Sequence, residues 1–497
     1  MGQEIELKLA LAPADLRALA QQAMVAELPR AGRAQLLVNT YYDTPDLLLR
    51  RHGIGLRTRK IGGAWLQTVK CARDSAGGLS SRPEWEQPYD AAAGFDFSRV
   101  DDETAARLLA AAKQALVPLF TTSFRREVRV YEPDAATRLL LMFDSGSMEA
   151  QGRKATISEL ELELERGPVA ALFDLARRLA TLAPMWPEDA SKAQRGYALF
   201  AGSADGPVFA APSTLDAAQG VPQAFRVLAH ACLRQWQANA AGARREDDTE
   251  YLHQMRVGLR RLRSVLQLFA PALPEPFVQR WMPILRARGD ATGAARDLDV
   301  LCERFLATLR RAQPGRTELE VLARHGEAER RALRARLRAS LAEPALVLDV
   351  LNLAADLQAL PDGKDSLPEF ARARLTALYK RAKKRARSAR AEDDESLHRL
   401  RVALKALRYG TEFLTSLLDG RRAARYAARV ARAQDGLGKH NDLALLDARL
   451  GAWTALGGEV AVGAGFAAGW YASRGQGRAA RQLKRARRLL ARRPPWE

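Results

Sequence analysis

Charged residues that alternate with aliphatic ones mark the first candidate chemistry in this 497-residue chain. Glu4-Ile5-Glu6-Leu7-Lys8 places Glu4, Glu6 and Lys8 on one face of a strand and aliphatic residues on the other. The pattern recurs. Arg57 and Arg59 share a face, as do Arg82, Glu84 and Glu86, and as do Glu159, Glu161, Glu163 and Glu165; Lys70 and Asp144 end strand-like runs. Charged faces of both signs suit solvent only if sign is unpatterned. If they face inward they must be paired or filled by ligand, because unpaired buried charge is costly. Bases in such an interior would bind phosphate oxygens, and acids would bind divalent metal.

The elements that must position these residues are short strands and a few helices. Helices are predicted over Pro13–Gln22 and near Leu47–Arg51. Strands are predicted at 36–45, 55–59, 65–70, around 82–86, at 124–131, 139–144 and 157–165. A closed antiparallel barrel serves both faces at once, aliphatic side outward against helices and charged side inward. The strand at Phe124 leaves two alternatives open: motif spacing favours Arg126 as its inward base, and alternation with Glu127 favours Arg125. His52 falls in a predicted turn and reads as incidental, and Tyr41-Tyr42 reads as core and rim.

Residues 1–200 carry 26 basic and 26 acidic residues, so the whole net charge of +20 lies in 201–497. So one-sided a field points to a polyanionic partner. Ala201–Gly220 is rich in small residues and proline and is predicted to be a linker. The chain beyond Gly220 is helical in pattern and contains a repeat at an offset of 145 residues. His253-x-x-Arg256-Val257-x-x-Arg260-x-x-Arg263 recurs as His398-x-x-Arg401-Val402-x-x-Lys405-x-x-Arg408, and Phe225, Asp290, Gly293, Asp297 and Leu298 recur as Phe370, Asp435, Gly438, Asp442 and Leu443. Each motif puts its His and three cations along one helical stripe. Arginine donates to phosphate in a fork, so the stripes read as an anion site. Asp297 and Asp442 are expected to orient the arginines, and Lys439-His440-Asn441 to add polar groups. Each stripe offers one imidazole among cations, which argues against metal. No aromatic residues interleave near the stripes, so nucleic acid is not an expected partner of the chain. The basic runs Lys380–Arg390 and Arg478–Arg493 read as solvated helix faces or extensions of that surface.

Three widely spaced cysteines, Cys71, Cys232 and Cys302, exclude a zinc motif and a disulfide framework and fit a reducing cytoplasm. The charged opening strand argues against a signal peptide. The most apolar run, Val460–Tyr471, is too short for a membrane span and is expected to be a buried helix, so no membrane partner is expected.

Over about residues 1–200 the sequence resembles the CYTH superfamily, the triphosphate tunnel metalloenzymes. The resemblance rests on Glu4-x-Glu6-x-Lys8, Tyr41-Tyr42-Asp43-Thr44, Leu56-Arg57-x-Arg59, Lys70, Arg82-x-Glu84-x-Glu86, Asp144, Glu159-x-Glu161 and Ser191-Lys192-x-x-Arg195-Gly196-Tyr197 in that order. It implies an eight-stranded antiparallel tunnel with Lys8, Arg57, Arg59, Lys70, Lys192 and one of Arg125 and Arg126 on phosphate. It also implies Glu4, Glu6, Glu84, Asp144, Glu159 and Glu161 on metal, as Mg²⁺ or Mn²⁺, with Glu4, Glu6, Lys8, Arg57, Arg59 and Lys70 as the catalytic set. Over about 215–497 the chain resembles the CHAD family, on the His-x-x-Arg-Val repeats and Arg296-Asp297-x-Asp299. That implies a two-lobed helical bundle binding inorganic polyphosphate through His253, Arg256, Arg260, Arg263, His398, Arg401, Lys405 and Arg408.

The expectation is therefore a tunnel domain at 1–200, a linker at 201–220 and a helical domain at 221–497 with repeats at about 221–360 and 366–497. The expected reaction is hydrolysis of tripolyphosphate to diphosphate and phosphate, in the cytoplasm or at polyphosphate granules. The alternatives are a nucleotide or thiamine triphosphatase, an adenylyl cyclase, or a non-catalytic polyphosphate-binding scaffold.

Overall fold

The computed structural model describes residues 2–71, 75–202, 206–418, 420–475 and 478–496. The chain divides into two compact units, one of residues 1–207 with 342–359 and one of 208–341 with 360–497.

The first unit is an antiparallel barrel. Its strands are β1 (Gly2–Ala10), β2 (Gln35–Asp43), β3 (Ile54–Ile61), β4 (Ala64–Cys71), β5 (Leu79–Pro88), β6 (Val117–Asp134), β7 (Thr137–Ala150) and β8 (Arg153–Arg166). They are ordered β5-β4-β3-β2-β6-β7-β8-β1, and pairing of β1 with β5 closes the ring. A two-residue strand, Trp186–Pro187, adds to β1. Alternation sends Leu7, Leu9, Leu160 and Leu162 outward into packing with helices such as Ala170–Ala180, and sends their charged neighbours into the lumen. Strands β6, β7 and β8 run well beyond their predicted spans, with 18, 14 and 14 residues.

One end of the barrel is covered by the helix Lys192–Ala201, which packs on β6, β7 and β8. Ser191 caps it, accepting from Gln194 N, and the Gln194 side chain answers the Ser191 backbone. Gly196 is required here, since a Cβ would meet the Phe120 ring at 2.0 Å. Phe120 stacks on Tyr41 at 4.6 Å and meets Tyr197 edge-on, fixing helix to sheet. The apolar helix Pro344–Gln358 belongs to this unit and packs on Ala170–Ala180, with Arg177 donating to Asn352 Oδ1 at 3.1 Å.

The second unit is all helical, and its two repeats share a core. Phe225 and its repeat partner Phe370 both pack on Phe269, with ring centroids 5.7 and 5.1 Å away. The two motif helices are Thr249–Phe269 and Asp394–Phe413, each begun by an aspartate cap, Asp248 and Asp393. They pack against one another. The apolar run at 460–471 lies in the helix Gly458–Gly475, which is only part-buried: Ala464 and Ala467 are in the core and Val462 is 62% exposed. Among the described residues no helix is long and apolar enough to cross a membrane.

Candidate functional site

In the barrel, neighbouring strands set acids opposite bases by register. Lys8 stands across from Glu161, Glu4 from Arg82, Lys70 from Glu84 and Arg126 from Asp144. On one wall Lys70 Nζ lies 2.6 Å from Glu4 Oε2 and 3.1 Å from Glu84 Oε2. Arg57 reaches Glu84 at 3.7 Å, and Arg59 reaches Glu86 at 3.9 Å while donating to Asn39 Oδ1 at 2.9 Å. Arg82 bonds Glu6, which Lys8 also meets at 3.1 Å. On the other wall Arg126 donates to both oxygens of Asp144, at 2.7 and 2.6 Å, and to Glu161. Lys192 Nζ donates to Asp144 Oδ2 at 2.7 Å and Glu161 Oε1 at 3.0 Å and pairs with Glu159, which also holds Arg195.

Burial makes these charges interact strongly. It would raise the Glu6 carboxyl, but Lys8 and Arg82 outweigh it and hold that group at about 2. Glu161 is likewise held well below the carboxylate range, against its burial, by Lys192, Arg126 and Lys8. Burial and the neighbours Glu4 and Glu6 push Glu163 up to about 7. Burial beside Arg57 and Arg126 lowers Arg59 to about 10.

Lys8, Arg57, Arg59, Lys70, Arg126 and Lys192 therefore meet in one lumen with Glu4, Glu6, Glu84, Asp144, Glu159 and Glu161. Arg125 does not join them. It is exposed on the outer face, next to exposed Leu36. Glu127 is an outer-face residue too, pairing with Arg30 and Arg129, which is why alternation counted from Glu127 points to the wrong arginine. Arg82, Glu86 and Arg195, which the sequence marks only as members of motifs, complete the ion network. Their signal is positional: Arg82 and Glu86 flank Glu84 at strand spacing, and Arg195 follows Lys192 by three on a helix.

Oxygens of Asp144, Glu159 and Glu161, all buried, lie within 4.8 Å of one another. Such a hard, all-oxygen set fits a hard divalent cation. Glu4 and Glu163, raised by burial beside other acids, have the electrostatics that a divalent cation relieves.

In the helical unit the two stripes converge across the packed motif helices. Burial and then Arg260, Arg401, Arg263 and Arg256 push the Lys405 ammonium down to about 7. Arg256 donates to Gly289 O at 2.7 Å and Thr292 Oγ1 at 2.6 Å. Arg260 crosses between repeats, donating to Tyr409 Oη at 2.6 Å. Burial, with Arg296 next, lowers His253. The repeat also governs the flanking acids: Asp435 pairs with Arg408 at 3.2 Å, and its counterpart Asp290 acts electrostatically on Arg263. Arg408 is further held by Glu412 at 2.7 Å and by Gln434. Arg261, off the stripe, reaches Glu412 at 3.8 Å and lies over Phe413. Asp299 is fully buried and faces Arg330 and Arg334, and Arg334 in turn holds Asp247 at 2.9 Å, beside the cap of the first motif helix. The side chains of Lys439, His440, Asn441 and Asp442 lie outside the described residues.

Comparison with known proteins assigns both halves. A CYTH domain family model matches residues 2–197 and a CHAD domain family model matches residues 227–451. An inorganic triphosphatase of Haemophilus influenzae is 34% identical over 209 residues, 40% of this chain and 55% of that protein. The chain thus spans about half the length of that curated relative. The crystal structure of the CHAD domain from the plant Ricinus communis superposes with a TM-score of 0.52 at 31% identity, covering 58% of this chain and 98% of that one. A putative adenylyl cyclase from Hippeastrum, described as having a dominant triphosphatase activity, covers 40% of this chain and 97% of its own at 22% identity and a TM-score of 0.31.

Proposed function

From a chain that carries a CYTH domain at residues 2–197 and a CHAD domain at residues 227–451, we propose a metal-dependent hydrolase of inorganic triphosphate joined to a polyphosphate-binding helical domain. The observation that carries the first half is the charge balance of the lumen. Seven carboxylates (Glu4, Glu6, Glu84, Glu86, Asp144, Glu159, Glu161) are ion-paired with a similar number of cations (Lys8, Arg57, Arg59, Lys70, Arg82, Arg126, Lys192, Arg195), and Glu163 and Glu188, both raised by burial, stand beside them. A bare polyanion would upset that balance, whereas a phosphate chain entering with divalent cations would preserve it.

In this reading Arg57, Arg59 and Lys70 hold phosphate oxygens from one wall and Lys8, Arg126 and Lys192 from the other. In-line positioning and charge neutralisation are what phosphoryl transfer requires most. Glu4, Glu6, Glu84, Asp144, Glu159 and Glu161 would hold the cation, Mg²⁺ or Mn²⁺, which when bound supplies Lewis-acid neutralisation of the phosphate oxygens. The rigid ion pairs keep each base aimed inward before substrate arrives, which limits reorganisation. The two stripes, His253, Arg256, Arg260, Arg263 and His398, Arg401, Lys405, Arg408, would bind long-chain polyphosphate. Support for that is the crowding of Lys405 by arginines of both stripes, Arg256, Arg260, Arg263 and Arg401, which a polyanion would relieve. In this reading residues 1–200 form the tunnel, 201–220 the linker and 221–497 the helical domain, apart from the helix Pro344–Gln358 on the barrel unit, with a cytoplasmic or polyphosphate-granule location.

Phosphate release from tripolyphosphate, ATP and thiamine triphosphate, with and without Mg²⁺ or Mn²⁺, tests the enzyme. Metal-dependent release with tripolyphosphate preferred is expected. Release from none overturns the reading, and cyclic AMP formation from ATP replaces it with a cyclase.

A further inference from the structure

Three basic segments of the second unit hold the charge excess of the entire chain. Residues 366–390, 420–434 and 478–493 contain 22 Lys and Arg and one acid, Glu369; outside them 56 basic residues face 57 acidic ones. Read one helix at a time they look like ordinary solvated faces. The fold brings them together. Tyr379 of the helix Leu367–Ser388 donates to Leu490 O at 3.0 Å, and Arg487 donates to Ala386 O at 2.9 Å. On the opposite flank Tyr426, in the helix Gly420–Thr454, meets Trp496 edge-on at 5.2 Å, and Gly436 abuts the Gln482 side chain. The helix Arg478–Leu490 thus lies between the basic ends of the other two.

Lys384, Arg385, Arg425, Arg429, Lys484 and Arg488 are all exposed, and none pairs with a carboxylate among the described residues. In the helix Thr317–Leu341, by contrast, three of the arginines, Arg330, Arg334 and Arg338, are matched to Glu327, Asp299 and Asp247. An uncompensated cationic face of this breadth is destabilising by itself and calls for an anion.

We propose that this three-helix face docks double-helical nucleic acid through its phosphate backbone, without reading sequence. Neighbouring helices lie about 8–10 Å apart, so their cation rows suit two phosphate rows flanking a groove of about 6–12 Å. A single polyphosphate strand would need only one such row. A membrane surface fits less well, because Leu483, Ala486, Leu489 and Leu490 are buried in the bundle and leave no apolar side to insert. A single-stranded nucleic acid lacks its stacking platform, since Tyr379, Tyr426 and Trp496 are buried.

The test is fluorescence anisotropy of the full chain with a short labelled DNA duplex of mixed sequence, across a salt series. Two variants are compared, K384E/R429E/K484E/R488E and the neutral K384Q/R429Q/K484Q/R488Q, each checked by thermal melting. Expected is binding that weakens steeply with salt, each neutralised phosphate adding about 0.9 to the slope, and a loss of about tenfold or more in the reversal variant with a smaller loss in the neutral one. Affinity for long-chain polyphosphate should stay within twofold. Duplex affinity unchanged in both variants overturns the proposal. So does capture of phosphatidylserine vesicles without duplex binding, and so does an equal fall in polyphosphate affinity, which would assign the face to that polymer.

Discussion

Lys192 and Asp144 meet at 2.7 Å although 48 residues separate them, one at the first turn of the helix covering the barrel and the other on β7. Both are nearly inaccessible, at 7% and 0% exposure. Glu159 and Glu161 share the same ammonium, so one lysine serves three buried carboxylates. Replacing Lys192 by Met should cost about 3–5 kcal/mol in urea unfolding, the range for breaking a buried pair. If those carboxylates also hold divalent metal, Mg²⁺ should raise the melting temperature of the variant more than that of the parent. An equal rise in both would separate Lys192 from the metal site.

Arg126 and Arg125 give the cleanest contrast in the lumen assignment. Arg126 donates to Asp144 and Glu161, whereas Arg125 is exposed on the outer face. Arg126→Gln should lower kcat/KM for tripolyphosphate by about a hundredfold or more, the scale seen when a preorganised electrostatic donor is lost. Arg125→Gln should leave it within twofold. Comparable losses in both would place the phosphate path elsewhere.

Much of this was legible because strand alternation is strict wherever one face must be apolar. Ile5, Leu7 and Leu9 could go only outward, so Glu4, Glu6 and Lys8 could go only inward. The repeat was legible for the same reason: His253 and His398 open stripes that packing holds in equivalent places. The ends of β6, β7 and β8 were not, since both faces there carry polar residues such as Glu149, Arg153 and Lys154, and alternation gives no signal. Nor was the membership of Pro344–Gln358 in the barrel unit: Leu346, Val350, Leu353 and Leu357 make an apolar stripe along it, but a stripe calls for burial without singling out the partner. The three-helix basic face was invisible for another reason: its segments are brought together only by tertiary contacts.

Gly146 tests how tightly the lumen base is built. It stands across from Phe124, and a Cβ there would meet Ser123 O at 2.2 Å and Phe124 Cα at 2.5 Å. Phe124 in turn lies under Arg126 and Lys192, with their charges 5.7 and 4.9 Å from its ring centroid. Gly146→Ala should destabilise by about 1–3 kcal/mol, as overpacking does, and lower activity by displacing those two cations. Melting unchanged within a degree would show that β6 and β7 separate easily there.

Lys405 links the helical domain to pH. Burial and four arginines lower its folded value to about 7 from the 10.5 of a free lysine. Between those values the unfolded chain binds the proton and the folded chain does not, so folding stability should rise with pH from about 7 to about 10.5. Lys405→Met removes the titrating group. It should therefore exceed the parent in stability below pH 7, where the parent must carry the crowded charge, and the difference should close as pH climbs past 10. A bound polyanion reverses the balance by favouring the ammonium, so polyphosphate binding at pH 8 should take up a proton. Calorimetry in buffers of different ionisation enthalpy reads that uptake directly, and it should vanish in Lys405→Met. Proton uptake undiminished in the variant would mean that Lys405 does not face the bound polymer.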